Sequence, residues 1–103
     1  MAISNALVHL HKQAYGRGPT SARTYVQDDL LVCLLRGGYT RGEHMLRDHG
    51  ELETLRDHRV VVQGTIEDQA RAIVREHLGR DVVSVMSAND PERDLSVEIF
   101  VLA

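Results

Sequence analysis

The chemistry this chain can offer is concentrated at Gly16-Arg17-Gly18-Pro19-Thr20, where a guanidinium stands among backbone N–H groups that the glycines leave unshielded. With Arg23 a few residues on as a second cation, such a loop could hold a small anion or a nucleotide phosphate. Its candidate ligand-binding residues are Gly16, Arg17, Gly18, Thr20 and Arg23. The plainer role is a tight turn: Pro19 fixes its own φ and pushes Gly18 out of the helical region, so a helix must stop here and the chain leave extended. The loop also departs from the Walker pattern. That pattern has Gly-Lys-Ser/Thr opening a helix after a strand, whereas this order runs from helix to strand.

The other reactive side chains are scattered. His9 and His11 are two apart on a helical stretch and point in different directions, so both are expected to be exposed rather than paired on a metal. His44, His49, His58 and His77 lack a motif such as His-Glu-x-x-His that would bring them together. Cys33 lies inside an apolar run, where it serves as a small core residue, and a lone cysteine makes no internal disulfide. Asp28-Asp29 is a carboxylate pair, but adjacent residues there fit a turn better than an acid/base dyad. No catalytic residue, metal ligand or cofactor is therefore assigned, and an enzyme of unknown reaction ranks below a binding module.

Length and composition set the frame for these residues. At 103 residues the chain suits one domain with one core, spanning 1–103. One Phe, three Tyr and no Trp leave the interior to aliphatic side chains. Twelve basic against fifteen acidic residues give a net charge of -3 with no long run of one sign, which argues against nucleic acid as a partner. No apolar stretch reaches the roughly 20 residues of a membrane helix. The N-terminus lacks the basic and hydrophobic regions of a signal peptide, so a cytoplasmic protein without direct membrane insertion is expected.

The elements that must position the chemistry follow from periodicity. Ile3, Leu7, Leu10 and Ala14 recur at helical spacing ahead of the glycine turn. Ala22 to Gln27 alternates as a half-exposed strand, and Leu30 to Leu35 is a continuous apolar strand that asks for cover on both faces. Thr40-Arg41-Gly42-Glu43 has the form of a capping box, opening a short helix that ends near His49-Gly50. From Glu51 to Leu78 periodicity favours one long helix, although the β-branched run Val60-Val61-Val62 and Gly64 speak for a break; the continuous helix is predicted because no turn residues bracket the valines. Asp81 to Ser87 and Leu95 to Leu102 read as two further strands with a loop at Ala88 to Asp94. The expected fold is α+β in the order α-β-β-α-α-β-β, an antiparallel four-stranded sheet with helices packed on it.

Taken in order, Tyr15-Gly16-Arg17-Gly18-Pro19, the aliphatic strand after Asp28-Asp29, Leu35-Arg36-Gly37, Val82-Val83-Ser84 and the closing Val97-Glu98-Ile99-Phe100-Val101-Leu102 resemble the MpsC (YbcI-type) family. The resemblance covers nearly the whole chain. It implies an accessory protein of a bacterial membrane system that translocates sodium and generates membrane potential, or takes up bicarbonate. It implies no established catalytic residues.

A homo-oligomer, most simply a dimer, is expected on geometric grounds. A helix over 51–78 would run about 40 Å, longer than the roughly 33 Å diameter of a compact domain of this size, so its ends would overhang. The stripe Leu52, Leu55, Val62, Ile66 and Ile73 would then form the oligomer interface.

Overall fold

The computed structural model describes residues 2–103. Its first helix, α1 (Ala2–Tyr15), stops where expected: Gly16 turns to φ 83° and its N–H donates to the Lys12 carbonyl at 2.8 Å. That left-handed conformation is open to glycine at little cost. Strand β1 (Ser21–Gln27) turns at Asp28-Asp29 into β2 (Leu30–Arg36), and α2 (Arg41–Asp48) follows on the capping box at Thr40. The long helix α3 (Leu52–Leu78) is unbroken and leads to the hairpin of β3 (Val82–Asp90) and β4 (Leu95–Leu102). The second hairpin is longer than its alternation suggested, since β3 runs on through Ala88 and Asn89 to Asp90.

The two hairpins join into one antiparallel sheet of order β1-β2-β4-β3. β2 and β4 sit at the centre. One face carries α1 and α3, and the core lies between: Ile3, Leu7 and Leu10 of α1 meet Leu31, Cys33 and Leu35 of β2, Phe100 and Leu102 of β4, and Ile66, Ala70 and Val74 of α3. The apolar run of β2 is thus split by the period of two. Leu31, Cys33 and Leu35 face the helices, while Leu30, Val32 and Leu34 face the other way, where none of the described elements is packed.

α3 holds together through its valines because burial, not propensity, decides the segment. Leu55, Arg59, Gln63, Ile66, Ala70 and Val74 form its buried side, and Val60 and Val61 are left 54% and 66% exposed. The predicted stripe is slightly rotated from this one. Leu55 and Ile66 are buried inside the chain itself, Ile73 packs on the edge of the core, and Leu52 and Val62 are half-buried. Nor does the helix overhang. The radius of gyration, 13.4 Å, is that of a compact domain, but the body is prolate, 43 × 21 × 20 Å, and its long axis matches the helix.

Candidate functional site

The glycine loop does not assemble the expected cradle. Thr20 is committed to the sheet, its N–H and its hydroxyl both donating to the Arg36 carbonyl at 2.9 and 3.1 Å. Arg17 is exposed in the turn, and Arg23 lies on β1 opposite Leu34, on the uncovered face of the sheet. Gly18 is there for closeness: a Cβ on it would lie 3.2 Å from Lys12 Cβ. A Cβ on Gly38, at φ 98°, would come within 3.0 Å of the Gly18 backbone. The turn and the strand end at Gly37-Gly38 are pressed together.

The chemistry gathers beneath that junction, around Arg59. Its guanidinium is buried on α3 and grips the Glu43 carboxylate of α2 with two bonds, Nε to Oε2 at 2.6 Å and Nη2 to Oε1 at 2.8 Å. Such a planar fork on a carboxylate is the strong form of ion pair. Glu43 Oε1 also accepts from the Thr40 N–H at 3.0 Å, so the capping box and the ion pair share one carboxylate. The guanidinium lies between two rings, 3.9 Å from the centroid of Tyr15 and 4.8 Å from that of Tyr39. Tyr15 donates to the Arg59 carbonyl at 3.4 Å and Tyr39 to the Pro91 carbonyl at 2.8 Å. Burial pushes both phenols up to about 12. Four segments, α1, the 37–40 loop, α2 and α3, meet on one cation.

A second buried pair adjoins the first. His11 stacks on Tyr15 at 6.0 Å between centroids, and its Nε2 lies 2.8 Å from Oε1 of Glu98, which points from β4 toward the helices. Both side chains are almost wholly buried. The expectation that His11 would be exposed is therefore corrected: one turn after Leu7, it falls on the buried side of α1, while His9 faces out. Its Nδ1 donates to the Leu7 carbonyl at 2.8 Å, so the proton on that nitrogen is fixed. An Nε2 facing a carboxylate then needs a proton between the two groups. Burial alone would lower the imidazole, but Glu98 and the Leu7 carbonyl outweigh it and hold His11 above its ordinary value. The contact is an ion pair without straight hydrogen-bond alignment.

Solvent reaches this network at His58. Its Nε2 is 3.5 Å from Glu43 Oε2, its side chain is about half exposed, and it borders an open cleft of about 450 Å³ lined by Thr40, Gly42, Glu43, Leu46 and Thr54. Glu43 is already held there by Arg59 and the Thr40 N–H, which leaves the half-exposed His58 imidazole as a titratable side chain facing the cleft. The other histidines serve their own helices: His44 contacts Arg47 at 2.9 Å, while His49 and His77 donate to carbonyls one turn back. Burial pushes the Cys33 thiol up, as an inert core cysteine requires. Among the described residues no three His, Cys, Asp or Glu side chains converge as a metal site.

The comparison with known families decides the assignment. A model described as "Na+-translocating membrane potential-generating system (MpsC)" matches residues 1–103, the whole chain. The chain belongs to the MpsC family. No curated protein and no solved structure matches it. Membership ties this MpsC protein to a sodium-linked membrane system, and among its described residues no helix is long and apolar enough to cross a membrane.

The sequence reading missed Arg59, Glu98 and His11 as a group. The signal for Arg59 was present: a charged residue and Gln63 occupy the i+4 and i+8 positions of the stripe that starts at Leu55. For Glu98 it was an acid in phase with Phe100 and Leu102.

Proposed function

We propose that this MpsC protein is a non-catalytic accessory or assembly component of a bacterial membrane system that moves sodium or takes up bicarbonate. It acts as a homo-oligomer and is held at the membrane by its partners. What carries the reading is the use made of its charged interior. Arg59 and Glu43 are engaged with each other, tying α3 to α2, and His11 and Glu98 likewise tie α1 to the sheet. A protein so arranged works through its surface. The test is affinity purification of the tagged protein from detergent-solubilised membranes of its native cell, with the sodium-dependent membrane potential of the deletion strain followed by a voltage-sensitive dye. Stoichiometric recovery of an ion-translocating subunit and a lowered potential are expected. Recovery of the protein alone with an unchanged potential overturns the proposal.

A further inference from the structure

Among the described residues no element covers the face of the sheet away from the helices. Strand register places Tyr25, Val32, Ile99 and Met86 in one row across it, and Arg23, Leu34, Val97 and Ala88 in the next. The rows beyond are Gln27, Leu30, Val101 and Ser84 on one side and Ser21, Arg36, Leu95 and Asp90 on the other. The two central strands put half-buried Val32, Leu34, Val97 and Ile99 in the middle of this face, and around them Leu30, Tyr25 and Met86 are exposed by 41, 60 and 50%. A sheet whose two faces are both apolar is built to be covered on both.

We infer that a second copy of this chain covers it, sheet against sheet, about a two-fold axis running parallel to the strands. This rests on the homo-oligomeric reading above and gives it a surface. Such an axis lays β1 of one copy over β3 of the other, and β2 over β4. Val32 then meets the partner's Ile99, and Leu34 the partner's Val97.

The two flanks are complementary in shape and charge. On the β3 side the face sinks into a hollow of about 230 Å³ lined by Leu34, Ala88, Asp90, Leu95 and Val97. On the β1 side Arg23 is exposed, with Tyr25 exposed beside it in the row of Met86. The two-fold drops Arg23 over the partner's Ala88, two residues along the strand from its Asp90, and sets Arg36 one strand away from the same carboxylate. Asp90 already holds Arg93 at 3.1 Å and keeps its exposed position at the rim. A self-complementary face, with knob and hollow related by the symmetry, selects a copy of itself over an unrelated partner.

Size also suffices. Four strands of seven or more residues give a flat footprint of about 450 Å² per copy, taking roughly 4.8 Å between strands and 3.3 Å per residue. Two footprints bring about 900 Å² together before side-chain relief is counted, close to the roughly 1,000 Å² a specific interface must exceed.

Light scattering at micromolar concentration gives the mass. The geometry is read by mixing Tyr25→Cys with Met86→Cys protein and adding a bifunctional thiol reagent that spans the sheet spacing of about 10 Å. Cys33 is buried and does not compete. The mixture should yield a cross-linked dimer and each variant alone should not. Ile99→Lys should halve the mass while circular dichroism stays that of the folded chain. Should that variant fail to fold, Arg23→Glu should weaken the dimer at least tenfold and Arg23→Glu with Asp90→Arg should recover part of the loss. A wild-type monomer at tens of micromolar overturns the inference, and so does a dimer whose Tyr25→Cys and Met86→Cys copies do not cross-link. Both outcomes are separate from the accessory role, which a monomer recovered with a membrane subunit would still satisfy.

Discussion

Arg59 is an electrostatic liability, since a guanidinium removed from water is tolerable only while Glu43 answers it. Deleting one partner leaves the other charged and buried. Arg59→Ala is therefore expected to cost about 3 to 5 kcal/mol in urea unfolding. Arg59→Met combined with Glu43→Leu should recover most of that loss, because an apolar pair of similar volume avoids the desolvation of both ions. A double variant as unstable as the single would show that the cost lies in lost packing against Tyr15 and Tyr39 instead. The His11–Glu98 pair makes a pH-dependent contribution whose sign is fixed by His11 standing above its ordinary value. A histidine raised in the folded state stabilises fully below its unfolded value near 6.5, and the contribution fades as the pH climbs through the raised value. The stability of the wild type relative to His11→Gln/Glu98→Gln, a neutral pair in the same place, should thus shrink as pH rises above about 6.5. A margin that grows with pH would mean that the imidazole is neutral in the fold.

At the scale of elements, most of the architecture was legible because each segment states its period. The Thr40 to Glu43 box, the glycine stop after α1 and the alternation of β4 all fall where the structure has them. α3 was harder, its valines and glycine arguing locally against what the rest of the molecule demands. Gly64 is exposed there, and a Cβ on it would meet nothing within 4 Å. Gly64→Ala should accordingly raise stability by about 0.5 to 1 kcal/mol. Gly38→Ala should do the reverse. Its φ of 98° and the Gly18 backbone at 3.0 Å leave no room for a methyl group, and urea unfolding of the two variants should show a gain for the first and a loss of about 1 to 3 kcal/mol for the second. What periodicity could not deliver was the site. His11, Glu43, Arg59 and Glu98 come from four elements, and only the packing of helices on sheet makes neighbours of residues up to 87 positions apart in number, as His11 and Glu98 are. A charged residue on an apolar stripe announces that a partner exists without saying where in the chain it stands.

The whole molecule is a layer of helices on a sheet, drawn out along α3 to 43 Å. Its length was misjudged from sequence because residue number fixes volume and leaves shape to the longest element. The same packing gives the interior an unusual optical property. The chain has no Trp and three Tyr, and two of these, Tyr15 and Tyr39, flank the buried guanidinium with their phenols pushed up to about 12 by burial. In an unfolded chain a phenol ionises near 10. Between these values the folded state must forgo proton release that the unfolded state enjoys, so stability falls as alkali is added through this range. Phenolate absorbance from the two rings should emerge together with the loss of helical circular dichroism, and Tyr15→Phe should move that alkaline midpoint upward. Early phenolate colour with the helices intact, in Tyr25→Phe protein that lacks the exposed ring, would mean that hydroxide reaches the rings through the closed fold. Otherwise these two buried rings are an indicator dye, colourless until the interior opens.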